Sequence, residues 1–494
     1  MVINIILAIL VLSIIIIIHE FGHFIVAKAN GITVVEFSLG FGPKLIHFKK
    51  GETEYSLKLL PFGGACIMLG EDFLEADDDE QEDATEGNNT GKAGSELDND
   101  FCNGKTAEDN GFGNTSRYSS DNTSAGSYMS EKKKQEALEA GYDMSKSFAN
   151  KSVWARIAVI AAGPIFNFIL AFVCSVVIIG SIGYDPCIVD VVYDNSPAVS
   201  AGLQEGDKII KVNNQKITFY RDYSFYRVYH ADDTMNITYE RDGQKYTTTL
   251  TPEYVKQQKY QMGVTLEQNG TIAGVSDGTP AQKAGIKKGD IITAVNGVAV
   301  DGSTKIIELV GQCNGESVDI TINRDGSTMQ LNVTPDSVEN EYYYTGFASY
   351  GARQKVSPIS VIGYAFKEVG YSVNTVVKSL GMMFTGQVGI NDLSGPVGTV
   401  SAMSNIVEES KADGTFYVIL NLLNLAGLIS ANLGVMNLLP IPALDGGRLV
   451  FLILEVLRGK PVKKEHEGMI HFVGMIFLFV LMIYVMFKDI RGLF

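Results

Sequence analysis

An apolar run from Val2 to Ile18 ends in His19-Glu20-Phe21-Gly22-His23, and this junction constrains the chain more than any other stretch. In a helix, residues i and i+4 share a face, so His19 and His23 can offer two imidazole nitrogens to one metal ion. Glu20, beside the first of them, is placed to take a proton from the water that such an ion activates. Each ionisable residue in a membrane span costs about 3 kcal/mol, so three within five positions point to a functional site. The competing reading is two histidines snorkelling at a helix end.

The run itself lacks the basic start and small-residue cleavage site of a secretory signal. Continued through Ala27, it reaches the roughly 20 residues of a transmembrane helix. Val153–Ile182, Phe416–Leu439 and Met469–Phe487 read as three further spans. Lys28, Lys44, Lys49, Lys50, Lys151 and Arg156 flank the first connection, and Arg448, Arg458, Lys460, Lys463 and Lys464 fill the third. Positive residues favour the cytoplasmic side, which predicts both termini and the long 185–340 connection outside.

The segments between the spans differ in character. Residues 1–70 combine the first span with a glycine-punctuated hairpin, Leu45–Phe48 and Tyr55–Leu60 alternating around Lys49-Lys50-Gly51-Glu52. Its oily residues Ile67, Met68 and Leu69 suit a hairpin against or within the membrane, where an open strand edge could take up an extended substrate; an ordinary soluble hairpin is the alternative. Residues 71–150 form an acidic, low-complexity cytoplasmic insert. Its part 71–128 has too little apolar surface to offset ordering, which predicts a disordered spacer. In the second span (151–184), Gly163-Pro164-Ile165-Phe166-Asn167 predicts either a kink with a helix-bridging asparagine or a broken, hydrated face turned to the metal.

An internal repeat follows. Asn195-Ser196-Pro197-Ala198, Ala201-Gly202-Leu203, Gly206-Asp207 and Val212-Asn213 recur 83 residues later as Gly278-Thr279-Pro280-Ala281, Ala284-Gly285-Ile286, Gly289-Asp290 and Val295-Asn296. The gapped pattern resembles tandem PDZ domains of the bacterial type, expected at 185–260 and 261–340. Such domains add a peptide as an extra strand, or here serve as steric cover. Residues 357–400 predict an amphipathic membrane-surface helix and a turn, and 414–494 the last two spans.

The formal charge of −16 is mostly local, since Glu71–Asn110 alone holds fifteen acidic residues against two lysines. The remainder is close to neutral and gives no sign of nucleic-acid binding. Cys66, Cys102, Cys174, Cys187 and Cys313 are scattered and form no CxxC pair, so neither a disulfide framework nor a thiolate metal site is indicated.

Two histidines leave a catalytic zinc one protein ligand short. Asp445 is the best candidate, because it follows Pro440 and Pro442, which break the third span, and precedes Gly446 and Gly447. His47, His230, His466 and His471 have no partner at ligand spacing and are read as non-ligands.

His19-Glu20-Phe21-Gly22-His23, the glycine-rich hairpin, Gly163-Pro164-Ile165-Phe166-Asn167, the tandem repeat and Asn437-Leu438-Leu439-Pro440-Ile441-Pro442-Ala443-Leu444-Asp445-Gly446 occur in one order. In this the chain resembles the site-2 protease family, in its bacterial regulator of sigma-E protease form. The resemblance implies a polytopic α-helical membrane protein of about four transmembrane helices, with a membrane-associated β-hairpin and two α/β PDZ domains between helices 2 and 3. It implies a metalloendopeptidase of the bacterial cell membrane, PDZ domains outside, cleaving transmembrane segments of single-span proteins such as anti-sigma factors. Zn2+ would be held by His19, His23 and Asp445, water activated by Glu20, and substrate held by Asn167 and Asn437. The PDZ pair would meet the substrate ectodomain or peptide ends. A membrane-anchored PDZ scaffold and a zincin with a soluble cleft are the alternatives. The acidic insert departs from the family's usual short connection.

Overall fold

The computed structural model describes residues 2–71, 138–139, 141–386, 389 and 395–491. The acidic insert expected at 71–150 therefore falls mostly outside the described residues, its part 71–128 entirely so but for Glu71, while near its far end Phe148 is buried with Ala27, Ile32 and Val34. The chain divides into two compact units, residues 1–182 with 356–494, and residues 183–355.

The first unit is built on helices, because a backbone in hydrocarbon must satisfy its own hydrogen bonds. Among the described residues, four are long and apolar enough to cross a membrane: Ile3–Ala29, Val153–Ile182, Thr415–Leu438 and His466–Arg491. They belong to α1 (Val2–Ala29), α2 (Val153–Ile182), α5 (Thr415–Leu438) and α7 (Lys464–Arg491), with α3 (Pro358–Phe384), α4 (Pro396–Ser410) and α6 (Asp445–Arg458) between and beside them. Helix α2 runs unbroken through Pro164 and packs against both α1 and α5. The amphipathic helix expected at 357–400 forms as α3 and lies against α2, where the Phe366 and Phe172 ring centroids are 4.4 Å apart. Helix α5 stops where Pro440 and Pro442 deny it further donors. Helix α6 then runs to Gly459, whose left-handed backbone ends it.

Between α1 and α2 the chain forms β1 (Val34–Lys50) and β2 (Thr53–Met68), two long, repeatedly irregular antiparallel strands. They fold back so far that Glu36, Phe37, Ser38 and Leu39 have partners on both sides, Glu54–Leu57 on one and Gly64–Ile67 on the other. One face carries a charge network in which Glu36 meets Lys44 and Lys58 at 3.2 and 3.1 Å, and Lys44 also meets Glu54 at 3.0 Å.

The second unit holds two four-stranded sheets of the same plan. In the first, Lys208–Val212 lies between Gln215–Lys216 and Met235–Arg241, and Gln244–Leu250 forms the far edge. In the second, Ile291–Val295 lies between Val298–Ala299 and Val318–Arg324, with Ser327–Val333 at the edge. The repeat extends to an ion pair on a buried aspartate that the sequence pattern only half displays. Arg241 Nε meets Asp207 Oδ1 at 2.6 Å, and Arg324 Nε meets Asp290 Oδ1 at 2.7 Å. Hydrogen bonds from Arg324 hold the Asp290 carboxyl below its ordinary range.

The two repeats are nested rather than simply consecutive. The ribbon of Glu253–Gln261 with Asp336–Tyr344 leads into and out of the second repeat. Phe347–Ala348 then returns to pair with Val191–Val192, and Phe347 joins the core of the first repeat. The expected span 185–260 omits this returning strand.

Candidate metal centre

The second half of α1, the first half of α2, the last turn of α5 and the start of α6 bring the predicted residues to one point. His19 and His23, four apart on α1, are both buried, with their Nε2 atoms 3.3 Å from each other. Asp445, the first residue of α6, places Oδ2 at 3.2 Å from His19 Nε2 and 3.5 Å from His23 Nε2. Among the described residues, these three form the group that could hold a metal ion.

The donor set fits a cation. His23 Nδ1 lies 2.9 Å from the carbonyl of Val159, which can only accept, so Nδ1 carries the proton and Nε2 turns a lone pair inward. Asp445 Oδ2 is buried without a hydrogen-bond partner among the described residues. A carboxylate oxygen and an imidazole lone pair pressed together out of water are costly unless positive charge sits between them.

Glycines make the approach possible. A Cβ on Gly163 would overlap His23 Nε2 and lie 2.7 Å from His19 Cε1, so α2 meets the imidazoles with bare backbone. A Cβ on Gly22 would lie 2.5 Å from the Ala162 carbonyl oxygen, which fixes α1 and α2 at backbone contact. One on Gly64 would lie 2.9 Å from Glu20 Cγ, so the last part of β2 passes directly beside the glutamate. Gly446 and Gly447 pack on the loop from Leu438 to Pro442 that carries the chain into α6.

The two asparagines occupy different places. Asn437 turns Nδ2 toward His19 Nε2 at 3.4 Å, on the side where the three ligand atoms converge. Asn167 lies behind, with 0% exposure and Nδ2 at 3.1 Å from His19 Nδ1. Of the other histidines, His47 pairs with Glu54 at 3.1 Å and His230 with Asp233 at 2.7 Å.

His471 has a part that spacing could not reveal. Its Nδ1 accepts the Ala443 N–H at 2.9 Å, two residues before Asp445. Ala443 has φ +75°, a left-handed backbone that a residue with a Cβ adopts only when held. Three residues along α7, Gly474 makes room for Pro442 of the same loop. The only trace in the sequence is an ionisable residue at the start of an apolar span. His471→Leu is expected to weaken metal binding by about tenfold, the low end for residues that orient a ligand. Metal titration of the detergent-solubilised variant measures this, and parent-like affinity would show that the loop holds its shape alone.

The zinc metalloprotease RasP of Bacillus licheniformis is 30% identical over 511 residues, covering 98% of this chain and 98% of the relative. The regulator of sigma-W protease RasP of Bacillus subtilis is 30% identical over 507 residues, covering 96% and 95%. Among solved structures, the HtrA3 PDZ domain bound to a phage-derived ligand aligns with 17% of this chain and 93% of its own, at 19% identity and a TM-score of 0.16. The model of peptidase family M50 matches residues 7–481, close to the full length, and the chain belongs to that family.

Proposed function

We propose that this member of the site-2 protease family is a zinc endopeptidase that hydrolyses peptide bonds within transmembrane segments of single-span proteins, anti-sigma factors among them. The observation that carries the proposal is the convergence of His19 Nε2, His23 Nε2 and Asp445 Oδ2 beside Glu20, with both histidines inside a helix apolar enough to cross a membrane. Zinc bound there would supply the Lewis acidity that makes water a nucleophile near neutral pH. Support for the substrate class comes from the Bacillus subtilis relative, named for its regulation of sigma-W. The lysine and arginine distribution supports an outer location for residues 185–340, and the Bacillus relatives support a bacterial cell membrane.

The chain's own groups divide the remaining work. The Glu20 carboxylate accepts a proton from the attacking water and delivers it to the departing amine nitrogen. Asn437, whose amide N–H is aimed at the cluster, holds the scissile carbonyl. A helical substrate hides its carbonyls, so the segment must be extended before cleavage. Among the described residues, Gly64–Ile67 pairs on one side only, with residues 36–39, and Gly64 lies against Glu20. Its other edge is where an unwound segment adds as a strand.

Asp445→Ala tests the ligand set. Elemental analysis of the purified variant should show zinc reduced well below one per chain, and an undiminished content would remove Asp445 from the coordination sphere.

The PDZ-like repeats are proposed to limit access rather than to supply catalysis. Their unit starts and ends at one place, where Tyr184 and Gln354 exchange backbone hydrogen bonds of 3.1 and 2.8 Å. Residues 184–354 can therefore be replaced by a short linker. The shortened protein should still cut a substrate already trimmed on the outside, and should begin to cut the untrimmed one. Loss of both activities in a folded, membrane-inserted protein would overturn the filter role.

A further inference from the structure

The two histidines need partners behind them as well as a metal in front, and helix α2 supplies both from one stripe. Val159, Gly163 and Asn167 are spaced four apart and so follow one another along a single face. Val159 takes the Nδ1 proton of His23 at 2.9 Å, Gly163 leaves space for both rings, and Asn167 meets Nδ1 of His19 at 3.1 Å. The second contact is drawn with the amide nitrogen toward the ring, and it leaves Asn167 Oδ1 buried without a partner among the described residues. An asparagine amide can be turned end for end with almost no change of shape, so its hydrogen bonds decide which atom faces which. With Nε2 of His19 given to a cation, the ring proton resides on Nδ1. The group it then requires opposite is an oxygen.

The geometry points to Asn167 as a positioning residue of the metal centre: its Oδ1 accepts the Nδ1 proton of His19 and holds the lone pair of Nε2 toward His23 and Asp445. The resemblance assigns the corresponding asparagine to substrate. Here its side chain is wholly enclosed, and Ser430 Oγ fixes the helix at the same residue by donating to the Asn167 carbonyl at 2.8 Å. Asn437, in contrast, meets Nε2 of His19, on the side of the three ligand atoms. The two asparagines thus serve opposite ends of one imidazole.

This role rests on the reading of His19, His23 and Asp445 as metal ligands, and zinc affinity tests the two separately. Full-length parent, Asn167→Asp and Asn167→Leu are compared in detergent by competition for zinc with a chromophoric chelator, and by the visible d–d spectrum of the cobalt-loaded proteins. Aspartate keeps an oxygen acceptor, as in carboxylate–histidine–zinc arrangements, whereas leucine has the volume but no acceptor. Asn167→Leu should lose zinc affinity by about 10- to 100-fold with a shifted cobalt band, and Asn167→Asp should stay within about threefold of the parent. Should Asn167→Leu fail to accumulate in membranes, Asn167→Ala takes its place with the same expected loss. A non-accepting variant that binds zinc as tightly as the parent, or an Asn167→Asp that loses as much as it does, overturns the positioning role and leaves the ligand set standing. A parent that binds no zinc overturns both.

Discussion

Glu20→Gln protein is expected to hold as much zinc as the parent and to cleave a membrane-embedded reporter about 100- to 10,000-fold more slowly, the usual contribution of a positioned general base. The substitution is close to isosteric. The tight passage of Gly64 against the Cγ of residue 20 is therefore undisturbed, and the adjacent strand keeps its place. The three converging atoms belong to His19, His23 and Asp445, none of which is altered. What disappears is the ability to accept a proton from water and return it to the leaving nitrogen. Zinc content and single-turnover cleavage, measured on one preparation, separate the two effects. Parent-like turnover would remove Glu20 from the reaction, and loss of zinc together with activity would make it a structural residue of the site. In cells the same variant should cause uncut membrane substrates to accumulate, which identifies them directly.

The parts of this centre that sequence displays are those set by side-chain identity at fixed helical spacing. His19 and His23 must share a face if the apolar run is a helix, and Asp445 stands out as a carboxylate beyond two prolines. Backbone contributions leave no such mark. The Val159 carbonyl could be any residue's, and only the position of α2 against α1 makes it a partner for His23. The glycine of Gly163-Pro164-Ile165-Phe166-Asn167 was legible as a motif but not as the gap into which two imidazoles fit. His471 has no neighbour at ligand spacing, and its partner is a backbone N–H 28 residues away. The repeats show the same limit. Their 83-residue offset was plain, whereas the return of Phe347 to the first core depends on pairing between distant strands.

Gly163→Ala adds one methyl group and is expected to cost the protein its metal. The new Cβ would fall on His23 Nε2 and 2.7 Å from His19 Cε1, closer than side-chain carbons are found to real neighbours. Relief would have to come from the rings or from the helices. The His23 ring is tied to Val159 at Nδ1, and that of His19 to Asn167, so swinging either away gives up a buried hydrogen bond. The helices cannot part cheaply either, because Gly22 already rests on the Ala162 carbonyl and the contact is repeated along α1 and α2. Overpacking of this kind costs about 1–3 kcal/mol. A distortion of that size falling on the ligands corresponds to zinc affinity lower by about 5- to 150-fold, at 1.4 kcal/mol per factor of ten. Gly180→Ala on the same helix is the control, since its Cβ would meet Val361 at 4.0 Å, an ordinary contact. Zinc titration of the two variants should therefore give a large loss for position 163 and none for position 180. Equal affinities would mean that α2 can shift away from the histidines, and that the close approach of its backbone is not what shapes the centre.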